Sequence, residues 1–217
     1  ESGMTDTVGE ITQRGNQSPL STTPVVGTPA RAYEPTFVPG AEPLTAGEIR
    51  VTILGSGDPW IRRSQASGSL VVEGGNAEKD YFFFDLGSGA LANFTALGLP
   101  VESTTKVFLS HLHADHIGDI PGLLGSMAKA GRVDPVEIWG GGNEDPALGL
   151  AAFCEHMGKA LAWDSASLRG VRPTSGFEAI AHEIPFDRPE TLYDRNGVTI
   201  SGFRAIPGLG GVVGGAL

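Results

Sequence analysis

The sequence predicts a single α/β domain in which helices cover one side of a β-sheet. The chain has 217 residues, which is enough for one domain with a large hydrophobic core. From Ile49 onward, short apolar runs rich in strand-forming residues alternate with longer stretches of helical periodicity. The 32 glycines suit many tight turns between strands and helices. These three observations together favour a layered α/β fold.

The first 48 residues differ from the rest of the chain, because they are rich in Thr, Pro, Gly and Ser and have no sustained apolar period. We interpret residues 1–48 as an extended arm or linker. The sequence opens with Glu1, and no charged segment followed by an apolar one marks a signal peptide. A leader already removed, or a sequence that begins within a longer chain, explains this start. Such an arm favours an exported or periplasmic location over a cytoplasmic one.

Strands and helices follow the arm in a regular order. Tyr81–Phe84 consists of four aromatic residues, which predicts a strand buried on both faces. The predicted strands span 49–54, 68–73, 80–85, 106–110, 136–139, 178–184 and 198–206. The predicted helices span 88–97, 117–130 and 146–162. The last helix carries Cys154 on its apolar face. This single cysteine is expected to pack in the core, and it allows no internal disulfide.

Four metal-binding side chains lie within six residues, directly after the predicted strand 106–110. Alternate residues of an extended chain point to the same side, so His111 and His113 can converge on one ion. Asp115 and His116 lie where a helix would begin, and they can serve a second ion nearby. Imidazole and carboxylate groups are ligands that zinc favours. The pattern therefore predicts a two-ion site that activates water for hydrolysis.

The segment has the form His-x-His-x-Asp-His and resembles the signature of the metallo-β-lactamase superfamily. Ile49–Gly57 resembles the first strand and glycine turn of that family, and Arg63–Glu73 resembles its next hairpin strand. Tyr81–Gly89 resembles the strand that ends in the family's Asp-x-Gly turn. The Gly-Ser-Gly turn and the Arg-x-Ser-Gln-Ala-Ser stretch are similar to the ribonuclease Z and arylsulfatase branch. Within that branch, the chain is most similar to metallo-hydrolases of guanitoxin biosynthesis.

This resemblance implies an αββα sandwich, of which the chain supplies the first half and only the start of the second. It implies that His111 and His113 belong to the first metal site. It also implies that Asp115 and His116 belong to the second site, with Asp115 as a catalytic residue. The complete family site holds two zinc ions. Asp85 is implied to lie behind the metals, either in a structural role or orienting a ligand, and a plain turn is its alternative interpretation.

Four further residues near the motif or among the remaining histidines need an interpretation of their own. Asp119 either holds a ligand imidazole in one tautomer or is a first-turn carboxylate that stabilises a helix. Gly118 is expected to leave room for the backbone to pass close to the metals. His182 has apolar neighbours on a predicted strand, which favours a half-buried structural histidine over a metal ligand. His156 falls outside the apolar face of its helix and is expected at the surface.

The family pattern breaks towards the end of the sequence. The third histidine of the first metal site is expected after Val198–Ile206, where Pro207 stands and offers no donor atom. No Asp or His follows, so the bridging aspartate and the last histidine have no counterpart, and fewer ions are expected here. The metallo-β-lactamase-like domain is then incomplete at 49–206 and ends in an aberrant glycine-rich tail at 207–217. Truncation or a frameshift is favoured over natural loss of the site.

The charge balance limits the partners that we expect. The chain has 15 basic and 25 acidic residues and a net charge of −10, which argues against a broad nucleic-acid surface. Arg50, Arg62 and Arg63 form one early basic cluster, which a solvated turn also explains. No apolar run approaches the roughly 20 residues that span a membrane. We expect a small-molecule substrate, no membrane and no nucleic acid, with a homodimer as the assembly that the branch suggests.

The predicted function is that of a zinc-dependent metallo-hydrolase, or of the N-terminal portion of one. A metal-activated water would hydrolyse an ester-type bond such as a phosphodiester, a sulfate ester or a lactone. One alternative is a ribonuclease Z-like endonuclease that processes tRNA 3′ ends. Another is a non-catalytic protein of the same fold that binds metal weakly. No substrate-binding residue follows from the sequence.

Overall fold

The computed structural model describes residues 43–185 and 188–203. The chain divides into two compact units, Glu1–Pro43 and Leu44–Leu217, and every helix and strand given below lies in the second. Most of the predicted arm lies outside the described residues, as do Pro207 and the predicted tail at 207–217. The predicted domain limits therefore stay predictions.

The second unit is built on a six-stranded sheet with the strand order β1-β2-β3-β4-β5-β6. The first three strands are antiparallel neighbours, whereas β3 to β6 run parallel to one another. Parallel neighbours need long crossovers, and each crossover between them carries at least one helix. The strands are β1 (Ile49–Gly55), β2 (Ser69–Gly74), β3 (Tyr81–Phe84), β4 (Lys106–Phe108), β5 (Val136–Gly141) and β6 (Ala179–Ile184).

The helices confirm the predicted alternation but are more divided than the sequence suggested. The predicted helix 117–130 is interrupted at Gly118 and Asp119, and the predicted helix 146–162 opens with a 3₁₀ turn at Pro146–Leu148. Within the part of the chain that the structure describes, no helix combines the length and apolar character needed to cross a membrane. The helices are α1 (Ala90–Ala96), α2 (Ala114–Ile117), α3 (Ile120–Ala130), α4 (Leu150–Ala160) and α5 (Ala162–Ser167).

One face of the sheet and the helices share a single apolar core. Phe83 from β3 meets Phe94 from α1 with ring centroids 4.9 Å apart, and both side chains are fully buried. Cys154 of α4 lies in the same core, as its place on the apolar face predicted. Burial raises the pKa of its thiol to about 11, so the group stays protonated and unreactive near neutral pH.

The opposite face of the sheet is aromatic, and a two-stranded hairpin packs on it. Phe108 and Trp139 stack with ring centroids 4.5 Å apart, and Tyr193 of the hairpin packs edge-on against Phe82. Since Phe82 and Phe83 point into different cores, the prediction that β3 is buried on both faces is confirmed. Within the described residues, the layers are therefore helices, a main sheet and a second sheet of two strands.

The hairpin consists of β7 (Glu190–Arg195) and β8 (Val198–Gly202), and the sequence interpretation missed its first strand. The polar composition of Glu190–Arg195 hides the strand pattern. The turn itself carries a usable signal, because Asn196 and Gly197 both have positive φ, 56° and 76°, as a type I′ turn requires. β8 was predicted to run to residue 206, whereas it ends at Gly202.

A buried carboxylate ties this hairpin to the main sheet. Asp80 accepts hydrogen bonds from Lys106 Nζ at 2.7 Å, from Asn76 Nδ2 at 2.9 Å and from Asn196 Nδ2 at 3.0 Å. Burial alone would raise the pKa of Asp80, but the hydrogen bonds from Lys106, Asn196 and Asn76 outweigh it, and the pKa is lowered. The ionised carboxylate therefore holds the hairpin turn against the beginnings of β3 and β4.

A second buried charge fixes the loops around α3. The Arg132 side chain is 1% exposed, and its guanidinium donates to the carbonyl oxygens of Thr104 at 3.0 Å, Leu123 at 2.9 Å and Gly176 at 2.5 Å. Burial lowers the pKa of Arg132 to about 10, so the group remains charged near neutral pH. One side chain thus joins three segments that are distant in sequence.

We expect Arg132→Met to destabilise the fold by at least about 3 kcal/mol, because it removes a buried charged donor that binds the carbonyl oxygens of Thr104, Leu123 and Gly176. Arg169→Met is the matched control, since Arg169 is exposed and its loss should change stability by no more than about 0.5 kcal/mol. Urea denaturation followed by circular dichroism measures both. Equal stability of the two variants would show that the buried guanidinium does not hold these loops together.

Candidate metal centre

The candidate site lies where two parallel strands of the main sheet end. Asp85 directly follows β3, and Ser110 comes two residues after the end of β4, which is the neighbour of β3 in the sheet. The Asp85 N–H donates to the Phe108 carbonyl oxygen at 2.9 Å and keeps the two chain ends together. The carboxyl ends of parallel strands form the edge at which α/β proteins place their functional groups.

Asp85 is the central acceptor of this site. Its Oδ1 accepts the Ser110 N–H at 2.7 Å, and its Oδ2 accepts the Ser110 hydroxyl at 2.7 Å. The same Oδ2 lies 2.7 Å from His116 Nδ1. Asp85 has φ of 55°, a left-handed conformation that is unfavourable for most side chains and often marks functional positions. The structure therefore places Asp85 behind the histidine cluster and in contact with it, rather than in a plain turn.

The four predicted metal-binding residues form one continuous cluster. His111 Nε2 lies 2.9 Å from His113 Nδ1, and the rings of His111 and His116 have centroids 4.0 Å apart. Asp115 Oδ2 lies 3.5 Å from His116 Nε2. His113 is exposed, and the other three are partly buried. Alternation along the extended segment and the first turn of α2 bring these side chains together, as the sequence suggested.

The protonation of His111 suits metal binding. Burial lowers its pKa, and the neighbouring His116 and His113 lower it further, whereas Asp85 and Asp115 raise it. The net direction is down, so the imidazole is neutral near neutral pH. Neutral imidazole is the form that binds a metal through its free ring nitrogen.

The imidazole and carboxylate groups of the cluster are of the chemical type that binds a divalent metal such as zinc. With zinc–nitrogen bonds of about 2.0–2.1 Å, two ligand nitrogens of a tetrahedral ion lie about 3.3 Å apart. The two nitrogens of His111 and His113 are 2.9 Å apart, so a small rotation of either ring would admit an ion between them. Within residues 43–185 and 188–203, no group of three or more His, Cys, Asp or Glu has the arrangement of a complete metal site. The described residues therefore supply two converging donors, His111 and His113, and two further candidate ligands, Asp115 and His116.

Close packing of backbone around the cluster requires glycine at two positions. A Cβ on Gly87 would lie 2.0 Å from the Asp115 carbonyl oxygen, and a Cβ on Gly118 would lie 2.1 Å from Ser88 Oγ. Gly118 allows the end of α2 to approach the Gly87–Gly89 turn. The expectation that it also makes room beside the metals stays a prediction.

Asp119 has a different partner from the imidazole that one interpretation gave it. Its Oδ2 accepts the Leu91 N–H at 2.8 Å, at the start of α1. The Asp119 N–H donates to the Leu86 carbonyl oxygen at 3.0 Å. Asp119 thus joins the beginnings of α1 and α3. The alternative that it holds a ligand imidazole stays a prediction.

The two remaining histidines lie where the sequence placed them. His156 is exposed on α4. His182 is partly buried on β6, stacks on Trp139 with centroids 4.6 Å apart, and hydrogen-bonds Glu137 Oε2 through Nε2 at 3.0 Å. Glu137 also binds Arg195 at 3.1 Å, so His182 belongs to a network that holds the hairpin on the sheet.

Sequence reasoning missed Ser110, although its hydroxyl contacts both Asp85 and His111. Ser110 Oγ lies 3.0 Å from His111 Nδ1 and 3.4 Å from His116 Nδ1. A serine directly before a metal-binding segment at a strand end carries no distinctive signal in one sequence. Its role becomes visible only when β3 and β4 are placed side by side.

Comparison with known proteins identifies the fold. The profile of the family described as Anti-Pycsar protein Apyc1 matches residues 49–134. The ribonuclease Z of Methanothermobacter thermautotrophicus is 35% identical over 94 residues, covering 42% of this chain and 29% of the relative. The ribonuclease Z of Lacticaseibacillus casei is 30% identical over 158 residues, covering 72% of this chain and 47% of the relative. The crystal structure of human tRNase Z, short form, superposes with a TM-score of 0.54 at 22% identity, covering 71% of this chain and 58% of that one.

The chain has the metallo-β-lactamase fold. Its sequence similarity lies with the ribonuclease Z-like branch of the metallo-β-lactamase superfamily. The chain spans less than half the length of the two curated relatives described above. The finer similarity to guanitoxin-type hydrolases stays a prediction.

These relatives conflict with one expectation. The net charge of −10 argued against nucleic acid, whereas the curated relatives are named ribonucleases. Net charge sums over the whole chain and does not describe the surface beside the site. The predicted homodimer and the exported location are not addressed by the comparisons and stay predictions.

We expect His111→Ala or His113→Ala to weaken zinc binding by more than the roughly 10- to 100-fold that loss of an orienting partner costs, because each removes a donor. His182→Ala and His156→Ala are matched controls and should bind zinc like the parent chain. Isothermal titration of the metal-free chain with zinc measures the affinity. Parent-like affinity in His111→Ala and His113→Ala would refute the assignment of these ligands.

Proposed function

We propose that this chain carries the metal-binding half of a zinc-dependent phosphodiesterase that acts on RNA, in the manner of tRNA 3′-end processing. The observation that carries this proposal is the convergence of His111 Nε2 and His113 Nδ1 at 2.9 Å beside Asp115 and His116. The similarity to ribonuclease Z sequences supports a phosphodiester over a sulfate ester or a lactone.

The residues of the cluster have separate tasks in this proposal. A bound divalent ion polarises a substrate oxygen and makes a water molecule acidic enough to attack near neutral pH. His111 and His113 would hold the first ion, and His116 with Asp115 would contribute to the second. The Asp115 carboxylate lies at the edge of the cluster, 3.5 Å from His116 Nε2, where it can accept a proton from the attacking water.

A loop beside the cluster offers a surface for the substrate. The loop Ser56–Gly68 connects β1 and β2. Its last residue lies beside the site, because a Cβ placed on Gly68 would be 3.6 Å from the His116 ring. Hydrogen bonds within the loop fix its shape, among them Gly57 N–H to Ala66 O at 2.8 Å and Arg62 Nη2 to Asp58 Oδ2 at 3.0 Å.

The tip of this loop combines an aromatic ring with positive charge. Trp60 is 73% exposed and Ile61 is 84% exposed, which is unusual for large apolar side chains. Arg62 and Arg63 follow them and are also exposed. Arg62 is paired with Asp58, so Arg63 supplies the excess positive charge of the loop. Proteins that bind unpaired nucleotides combine an aromatic surface for base stacking with cations for the phosphates. The loop therefore supports an RNA substrate despite the acidic balance of the whole chain.

A second candidate function is hydrolysis of a small phosphodiester. The net charge of −10 favours a small substrate, and residues 49–134 match the profile of a family that is not named a ribonuclease. This candidate uses the same cluster and does not need the exposed loop. Bis(p-nitrophenyl) phosphate therefore serves as its probe.

The direct test compares two substrates, a tRNA with a 3′ extension and bis(p-nitrophenyl) phosphate, with the zinc-loaded chain. We expect cleavage of the tRNA, and Asp115→Asn should lower its rate by about 10²- to 10⁴-fold, because a proton acceptor is lost. His156→Ala is the control with parent-like activity. Hydrolysis of the small diester alone would favour the second candidate. A zinc-loaded chain that cleaves neither substrate would contradict hydrolysis by the residues of this chain alone.

We expect Trp60→Ala to raise the KM for the tRNA by about 10-fold or more with little change in kcat, since one stacked base contributes about 1–3 kcal/mol. Trp60→Phe should retain most of the affinity because it keeps a ring. Trp163→Ala is the matched control, because Trp163 is 81% exposed on α5 and distant in sequence from the loop. Steady-state kinetics separates the two constants. An unchanged KM in Trp60→Ala would exclude the loop from substrate binding.

A further inference from the structure

We propose that Ser110 is a positioning residue that fixes the tautomer of His111 and thereby directs the lone pair of Nε2 towards the metal position. The inference rests on the proposed metal-dependent function, but it concerns the metal-free chain. Asp85 and Ser110 together would set two of the three histidines of the cluster before any ion binds. Ser110 is thus assigned a role that the sequence motif does not include.

The assignment follows from which atoms can donate. An ionised carboxylate can only accept hydrogen bonds, so each polar atom at hydrogen-bond distance from the Asp85 carboxylate must donate. Ser110 Oγ lies 2.7 Å from Asp85 Oδ2, and a bond from a hydroxyl to an anion is stronger than one between neutral groups. The single hydroxyl proton of Ser110 is therefore directed to Asp85.

This leaves only the lone pairs of the Ser110 hydroxyl for its next neighbour. His111 Nδ1 is 3.0 Å from Ser110 Oγ, so the ring must supply the proton for that hydrogen bond. His111 is then protonated at Nδ1 and carries its lone pair on Nε2. That nitrogen is the one that faces His113, at 2.9 Å.

The same carboxylate fixes His116 directly. His116 Nδ1 lies 2.7 Å from Asp85 Oδ2 and must donate to it, which leaves the lone pair of His116 on Nε2. Asp85 therefore orients His116 through a direct hydrogen bond, and it orients His111 indirectly, through the hydroxyl of Ser110. A ring held in the correct tautomer binds an ion without first moving a proton.

The backbone contacts make the test selective. The Ser110 N–H also donates to Asp85 Oδ1 at 2.7 Å, and Ser110→Ala keeps that bond while it removes the hydroxyl. At position 85, Asp85→Asn keeps the left-handed backbone, because Asn tolerates positive φ, while it removes the charge. The two variants therefore act on the hydrogen bonds and spare the chain path.

Nitrogen-15 NMR of the metal-free chain at about pH 8, where imidazoles are neutral, reads the tautomers directly. We expect His111 and His116 to be protonated at Nδ1 in the parent chain. Ser110→Ala should give a tautomer mixture at His111 and leave His116 unchanged, and Asp85→Asn should release both rings. Ser110→Thr, which keeps the hydroxyl, should restore the parent pattern at His111.

Zinc affinity provides a second readout. We expect Ser110→Ala to weaken zinc binding by about 10- to 100-fold and Ser110→Thr to bind like the parent chain. A parent-like His111 tautomer in Ser110→Ala would overturn the proposal, as would a parent chain with the proton on Nε2. If the tautomers are as expected and the parent chain binds no zinc, the proposed function fails while the orientation of the rings stands.

Discussion

The site depends on one carboxylate that joins the ends of two neighbouring strands. Asp85 accepts the backbone and hydroxyl of Ser110 and the ring of His116, each at 2.7 Å. It does so from a left-handed conformation, which the surrounding packing must hold in place. The parallel pairing of β3 and β4 and the close approach that Gly87 allows provide that packing. Without this hydrogen-bond centre, the histidines would follow a flexible strand end with no fixed orientation.

Both faces of the main sheet are packed against other elements, and both support this centre. The helix-covered face is a conventional apolar core, beside which Arg132 donates hydrogen bonds to the carbonyl oxygens of Thr104, Leu123 and Gly176. The other face is aromatic and carries the hairpin β7–β8, held by Asp80 and by Glu137. The two buried charges, Arg132 and Asp80, each bind groups that are far apart in sequence. The rigidity of the strand ends therefore comes from polar contacts as well as from hydrophobic burial.

Much of the fold could be predicted from the sequence, because apolar runs and helical periods are local signals. The cluster of three histidines and Asp115 could be predicted for the same reason, since its members lie within six consecutive residues. The strand Glu190–Arg195 was missed because its composition is polar, although the Asn196-Gly197 turn could have revealed it. Ser110 and the partner of Asp119 could not be found, because their roles arise from contacts between strands and helices that only the folded chain brings together.

The proposed function requires that imidazole nitrogens of the His111–His116 segment hold the metal. X-ray absorption at the zinc edge of the zinc-loaded chain reports the ligands of the ion. We expect nitrogen or oxygen neighbours at about 2.0–2.1 Å with the multiple scattering of at least two imidazole rings. A sulfur neighbour at about 2.3 Å, which only Cys154 or a methionine could provide, would contradict it. A zinc environment without imidazole scattering would contradict it equally.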